Sequence, residues 1–576
     1  MKHISVRRRD ALWSFSALVL LVGYSSAPRA DTLLQHGHIY TGNPAHPWAE
    51  SLLVSGATIA AVGTDRETRK VAKPSVTVID LRGRTVIPGI VDSHAHVLYG
   101  AFALHGLNLS LPDGSTTVDK PDILVARLRS FAAAHPADPV LFARADFSAT
   151  PPSTPNSSLL DRAVPDRPLV VHNTSEHALW INTAALKMAG VTDFPVPDPL
   201  EERGIVRDAS GHPTGVFLEA GMEVVERSVA TRVPTDDVLD MLEAAGHYLN
   251  SYGITSVVNA TGNLSEIRLY GMLRDRSRLT VRTKTSFGSV AYPHHLTPEF
   301  LSDLEEARTR YHDEWVSANL VKFFADGATG LVPPLVYEPH EYAALVMELD
   351  RRGFQLMTHA ARDDSVHMIL DAYEQLERAN GPRDRRLRIE HADLTDAVDI
   401  PRFATLSVIV DMQPSFCCGE EGLNYDAANP LPTERWKSFQ ESGATVAFSS
   451  DWPCTWPPSP FVGIEEAVTR NVWRSPDTAG IVGNPFDGAG QGGAIKLGKM
   501  YVPAERLTVG EAVTAYTRAS AYAAFADAQV GTLEVGKFAD LAVLSQDIFS
   551  VPPETIGQTR VELTMVGGKV VYSAAP

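Results

Sequence analysis

The stretch Thr85-Val86-Ile87-Pro88-Gly89-Ile90-Val91-Asp92-Ser93-His94-Ala95-His96 decides how this chain is read. Its first half is an apolar run of the kind that forms a buried strand. It ends in two histidines at i and i+2, and residues two apart on a strand share a face. Two imidazoles on one face at a strand's end make half of a metal site. A lone His-x-His also occurs on ordinary surfaces and in cores, so its meaning depends on what lies downstream.

Downstream, the chain repeats the same pattern. Leu320-Val321-Lys322-Phe323-Phe324-Ala325-Asp326-Gly327 carries a lysine inside an apolar, strand-like run. An unpaired ammonium there is costly. Burial lowers the pKa of a lysine and favours the neutral amine. A neutral amine combines with CO2 to give a carbamate, an anionic bridge with two oxygen donors. The alternative is a structural Lys322 paired with Asp326. Phe354-Gln355-Leu356-Met357-Thr358-His359 and Leu387-Arg388-Ile389-Glu390-His391 are short apolar runs that end in histidine. Ala444-Thr445-Val446-Ala447-Phe448-Ser449-Ser450-Asp451 ends in a carboxylate.

Each of these groups alone fits a satisfied core or surface residue. In order along the chain, His94, His96, Lys322, His359, His391 and Asp451 each close a candidate strand. Eight such strands are expected near 86–94, 255–260, 282–287, 320–324, 354–359, 387–391, 407–412 and 445–450. Helical patterns at 364–378 and 507–526 lie between or after them. Alternating strands and helices predict an α/β fold with a parallel (β/α)8 TIM barrel. The C-terminal strand ends of such a barrel share one mouth, where chemistry is carried out.

These motifs resemble the amidohydrolase superfamily, in particular the amidohydrolase family 3 branch of bacterial metal-dependent hydrolases that includes N-substituted formamide deformylases. The resemblance covers nearly the whole chain after its first 30 residues. It rests on Val86-Ile87-Pro88-Gly89 with Val91 to His96, Val321-Lys322 with Asp326-Gly327, Ile389-Glu390-His391-Ala392, Met412-Gln413-Pro414 and Ser449-Ser450-Asp451 with Pro453. Gly531-Thr532-Leu533-Glu534-Val535-Gly536-Lys537-Phe538-Ala539-Asp540-Leu541 fits as well. So do Asp161 to Pro168, and Gly204 to Asp208 with Gly211 to Gly215.

The resemblance implies a metal centre. His94, His96 and Asp451 would hold one divalent ion, His359 and His391 a second, with carboxylated Lys322 between them. A mononuclear variant would leave Lys322 unmodified. Nitrogen and oxygen donors suit zinc, with iron, manganese or cobalt as alternatives. Asp451 and Lys322 are then the catalytic residues, with Asp451 shuttling the proton. The implied activity is hydrolysis of a non-peptide carbon–nitrogen bond, such as an N-substituted amide or formamide. The alternatives are a cyclic amide, carbamate or ester hydrolase on the same metals, or a non-catalytic binding protein.

Two departures from the family pattern mark candidate substrate residues. His177 stands in Ser175-Glu176-His177, where the family has Asp-Gly-His. Arg362 stands in His359-Ala360-Ala361-Arg362-Asp363, where the family has a glycine. Arg362 either selects an anionic substrate group or pairs with Asp363. Asp326 reads as a turn residue or an orienting one, and Arg207 with Asp208 as a local ion pair. Glu219 reads similarly. His105, His172, His294, His295 and His367 read as surface or core residues.

The bulk numbers suit a large barrel with an accessory domain. The chain has 576 residues, of which 44% are hydrophobic, enough for a large core and an accessory unit. Residues 1–30 hold Arg7-Arg8-Arg9, an apolar stretch to Gly23 and a small-residue exit at Ala30. That pattern reads as a signal peptide for export to the periplasm or beyond, by the twin-arginine or the general route. These residues carry a net +4, so their removal takes the formal charge from −18 to −22. An acidic surface excludes nucleic acid as a partner. The expected partners are a small-molecule substrate and, in a homo-oligomer, further copies of the chain. No later run is long enough to span a membrane.

Residues 31–85 and 531–576 are β-rich, and the resemblance pairs them into one small sandwich beside a barrel at 86–530. Residues 97–226, after the first barrel strand, are too long for a plain loop and read as a lid-like insert. Cys417, Cys418 and Cys454 read as free thiols or as one bridge from the adjacent pair to Cys454.

Overall fold

The computed structural model describes residues 31–110, 118–147, 155–288, 296–327, 335–416, 434–471 and 502–574. At its centre is an eight-stranded, all-parallel sheet: β1 (Ile90–Ala95), β2 (Ile254–Asn259), β3 (Arg282–Phe287), β4 (Val316–Phe324), β5 (Gln355–Ala360), β6 (Arg388–His391), β7 (Ile409–Met412) and β8 (Val446–Phe448). Each strand pairs with its neighbour in chain order. The seam between β8 and β1 closes just past their ends. There Ala95 bridges Trp452, the Asp451 N–H donates to the His94 carbonyl at 2.8 Å, and the His96 N–H donates to the Trp452 carbonyl. The result is the predicted (β/α)8 barrel.

Covering helices form where apolar residues recur at helical spacing. Asp363–Asn380 buries Val366, Ile369, Leu370, Tyr373 and Leu376 on one stripe and stops at Gly381, whose φ of 74° suits glycine. Thr235–Asn250 buries Val238, Leu239, Leu242, Ala245 and Leu249 in the same way. Both faces of each strand are therefore covered, which explains the near-continuous apolar runs in the sequence.

The first expected strand is divided in two. Thr85–Pro88 joins a six-stranded mixed sheet with Leu541–Leu544, Val561–Val566 and Lys569–Ser573 from the C-terminal end. The barrel strand starts only at Ile90. Gly89 makes the switch where the chain passes against β2, and a Cβ there would lie 2.3 Å from Thr255 Oγ1. A second, four-stranded sheet from residues 32–80 faces the six-stranded one. Leu34, Leu52, Val54 and Ile59 pack against Leu541, Val543 and Met565 between them. Asp540 of the Phe538-Ala539-Asp540 motif ties this sandwich to the barrel, accepting from Arg282 Nε at 2.7 Å while buried.

After β1 the chain builds a further six-stranded mixed sheet from Leu107–Asn108, Leu141–Ala145, Leu169–Asn173, Ala178–Ile181, Ile205–Arg207 and Pro213–Leu218. It has its own core around Leu128, Leu160 and Trp180. No helix among the described residues is long and apolar enough to cross a membrane.

Candidate metal centre

Side chains alternate along a strand, so Asp92 and His94 on β1, Leu320 and Lys322 on β4, and Met357 and His359 on β5 share the inward face. His391 and Asp451 follow a different rule. Both take left-handed backbone, with φ of 69° and 54°. Such geometry costs a non-glycine residue on the order of 1–3 kcal/mol and clusters at functional sites. Here it turns His391 toward the barrel mouth, although its strand neighbour Glu390 already occupies the inward face.

All six expected residues meet in one cavity. The ligand atoms of His94, His391 and Asp451 lie within 4.8 Å of one another. Asp451 Oδ1 is 3.1 Å from His96 Nε2 and 3.6 Å from His94 Nε2. Lys322 Nζ is 3.3 Å from His94 Nε2, and the His359 and His391 ring centres are 4.5 Å apart. Bonds of about 2.0–2.1 Å to a tetrahedral cation place neighbouring donors about 3.3 Å apart, close to these spacings.

Among these six residues, two buried atoms are left over. His359 Nε2 lies 3.2 Å from Asp326 Oδ1 but makes no aligned hydrogen bond, and neither does Asp451 Oδ1. Buried polar atoms without partners are rare and costly. Both residues line the same cavity, and divalent cations bound there would satisfy both. By this test the residues fit the group.

Burial is the main force on protonation here. It holds His94, His359 and His391 well below the usual imidazole range, helped by Lys322 beside the first two and by His359 beside the third. Neutral imidazoles are the form that binds metal. Burial also pulls Lys322 down to about 8, against the pull of Glu390 and Asp451. Asp451 behaves differently. Burial pushes its pKa up, yet His96, His391 and Lys322 outweigh it and keep the carboxylate ionised. Lys322 does not pair with Asp326. Asp326 instead accepts from the Ala361 and Arg362 N–H groups and from Ser365 Oγ.

A ring of supporting groups lies beneath the cluster. Glu390 accepts from His94 Nδ1 at 2.6 Å, and Gln413 Oε1 accepts from His391 Nδ1 at 2.6 Å. Arg388 donates to Glu390 at 2.7 Å and to Asp411 at 3.0 Å. Ser449 links Asp411 to Gln413. Sequence patterning missed Arg388 and Asp411. Their i, i+2 spacing with Glu390 and Gln413, on strands otherwise apolar, was the available signal.

His177 lines the cavity, and its ring centre is 5.9 Å from that of His359. Its Nδ1 donates to Glu219 at 2.8 Å. Burial works to lower the pKa of His177, but Glu219 outweighs it and raises the imidazole above its ordinary value. Arg362 is not among the cavity-lining residues. Its side chain is 46% exposed and pairs with Asp364 at 3.1 Å, not with Asp363. Arg207 pairs with Glu202, and Asp208 instead caps its own turn. His172 is buried against Glu176, and His367 sits at the surface against Asp399. Cys454 is a buried free thiol that donates to the Ser175 carbonyl. Cys417, Cys418, His294, His295 and residues 1–30 lie outside the described residues.

Glu176, Glu219, Glu223 and Glu226 also line the cavity, with Tyr99, Met222 and Phe324. Among the described residues, Lys322 is the only lysine or arginine that does. No sequence pattern announced Glu223 and Glu226, which reach the site from helix Met222–Arg232.

The amidohydrolase family profile matches residues 77–572. The N-substituted formamide deformylase of Arthrobacter pascens is 25% identical, over 94% of this chain and 98% of that protein. The Arabidopsis thaliana protein LONG AFTER FAR-RED 3 is 28% identical, over 94% and 92%. An uncharacterized metal-dependent hydrolase from Pyrococcus furiosus superposes with a TM-score of 0.66 at 22% identity, over 90% of this chain and all of that one. The chain belongs to the amidohydrolase family, metal-dependent hydrolases of carbon–nitrogen bonds other than peptide bonds.

Proposed function

We propose that this protein hydrolyses an N-substituted amide or formamide at a divalent metal centre. His94, His96, His359, His391 and Asp451 would hold the metal, with carboxylated Lys322 as the bridge of a two-ion site. The carrying observation is the convergence of these six groups in one cavity, with buried His359 Nε2 and Asp451 Oδ1 lacking aligned hydrogen bonds. When bound, the cation (zinc in our reading) supplies Lewis acidity, lowering the pKa of water and polarising a carbonyl.

The chain's own residues then divide the work. Asp451 stays ionised and faces the cavity, so it takes the proton of the attacking water and returns it to the leaving nitrogen. An amide nitrogen leaves poorly unless protonated, so this transfer is the demanding step. His177, whose Nδ1 is bonded to Glu219, would present its Nε2–H to the substrate oxygen. Burial excludes bulk water around all of these groups. Residues 1–30 act as an export signal in this reading, and N-terminal sequencing of the protein recovered after export tests that.

Elemental analysis of protein purified without chelator, followed by assays on formamides and N-acyl amines, tests the reading. Two metals per chain in a His135→Gln background, which counts the ions of this cavity alone, and release of formate or another acid support it. One metal per chain in that background supports the mononuclear variant. Metal-free protein that stays inactive after zinc and bicarbonate are added overturns it.

A further inference from the structure

Outside the catalytic cavity, the described residues hold one other cluster with two imidazoles and a carboxylate. His105 ends helix Val97–His105, which leaves the strand that carries His94. His135 caps the C-terminus of helix Pro121–Ala134 in the insert, and Asp138 lies in the turn that follows. Asp138 Oδ2 accepts from His105 Nε2 at 2.9 Å and from His135 Nδ1 at 3.2 Å. The three donor atoms all lie within 4.8 Å of one another.

We propose that His105, His135 and Asp138 form a second, non-catalytic site for a transition-metal dication such as zinc. A tetrahedral ion with bonds of about 2.0–2.1 Å sets its donors about 3.3 Å apart. Two of the three donor spacings are already within half an ångström of that. The imidazoles are set edge to face, ring centres 5.5 Å apart at 82°, so both present ring nitrogens toward Asp138 without stacking over it. Two imidazoles and one carboxylate favour zinc, nickel or copper over calcium or magnesium.

The surroundings hold these groups in place. Phe131 packs on His135 with ring centres 4.2 Å apart. Arg167 donates to the backbone carbonyls of Ala132, His135 and Asp138, at 2.6, 2.6 and 3.3 Å, which fixes the turn. That guanidinium is spent on carbonyls. The three ligand side chains are between 23% and 32% exposed, so water can complete the coordination and the ion can enter from solvent.

The position gives the site a role. Helix Val97–His105 spans nine residues, about 13 Å, from the His94–His96 end of β1 to the cluster. An ion there would clamp the far end of that helix to the insert, and with it the elements that carry Tyr99 and the cavity wall. The ion acts on stability, without touching substrate.

The test is zinc stoichiometry of the full chain after equilibrium dialysis against low-micromolar zinc, for wild type, His135→Gln and Asp138→Asn. Circular dichroism confirms that each variant is folded. Each variant should hold one zinc fewer per chain than wild type. The rise in Tm on adding zinc should also shrink in both. Unchanged stoichiometry in two folded variants overturns the proposal. An equal zinc-dependent rise in Tm in wild type and variants overturns the clamp.

Discussion

Glu390 Oε2 lies 2.6 Å from His94 Nδ1, so the strand that supplies His391 also fixes the ring of a histidine 296 residues earlier. The bond sets the tautomer of His94 and turns its Nε2 toward Lys322 and Asp451. Arg388 grips both Glu390 oxygens, which keeps the carboxylate in position. Burial outweighs the opposing Arg388 guanidinium and leaves Glu390 raised to about 7. Groups that orient metal ligands in this way typically contribute 10- to 100-fold in affinity. Glu390→Gln should therefore fold and lose about that factor in zinc affinity. Competition against a chromophoric chelator measures it, and an unchanged affinity would show that His94 needs no such partner.

Lys322 gives a pH dependence with a definite sign. Only the neutral amine adds CO2, and burial brings the pKa to about 8 from its ordinary 10.5. At pH 7 about a tenth of the lysines are then neutral, against roughly one in three thousand for an exposed lysine. In metal-free protein at fixed dissolved CO2, zinc uptake should speed up about tenfold from pH 6 to pH 7 and level off above about pH 9. Lys322→Ala should lose the second ion and most activity. A flat pH profile, or a Lys322→Ala variant with full metal and rate, would remove the carbamate from the scheme.

Asp451 is placed to move the proton, and its charge is maintained by His96, His391 and Lys322 against burial. Asn at this position keeps the shape and cannot carry a proton. Asp451→Asn should fold with an unchanged melting profile in chelator and lose about 10²–10⁴ in kcat on an amide. On an activated ester, whose leaving group needs no proton, the loss should be much smaller. Equal losses on both substrates would assign Asp451 to metal binding alone.

How much of this was legible in the sequence follows from where each signal sits. Strand-end motifs are local, so His94, His96, Lys322, His359, His391 and Asp451 could be read directly and do meet in space. The strand starting at Val86 was misjudged because Thr85–Pro88 and Ile90–Ala95 are both fully buried, and apolar patterning cannot separate two strands serving different sheets. Gly89 was the one cue to the switch. Arg362 looked like a pocket residue by its nearness to His359. One turn of backbone carries it outward to Asp364. Glu223 and Glu226 were invisible for the opposite reason. They are almost 100 residues from the nearest metal motif, at Lys322, on a helix whose charged face looks like any solvated one.

Those two glutamates lead to the final prediction. At i and i+3 on helix Met222–Arg232 they share a face, and both line the cavity. Burial and the neighbouring Glu223 raise Glu226 to about 8, so before substrate binds it carries a proton at neutral pH. A positively charged substrate substituent would release that proton and pair with the carboxylate, while an anionic one would meet the Glu223 charge. In a partly buried site this difference amounts to about 1–2 kcal/mol, or roughly tenfold in rate. An amide bearing an ammonium group should thus show a higher kcat/KM than its isostere bearing a carboxylate. Glu226→Gln should narrow the ratio between the two. The preference should also strengthen between pH 7 and pH 9 as Glu226 ionises, provided the ammonium stays charged. A preference for the carboxylate substrate would mean that a cation outside the described residues, and not these glutamates, sets the charge of the mouth.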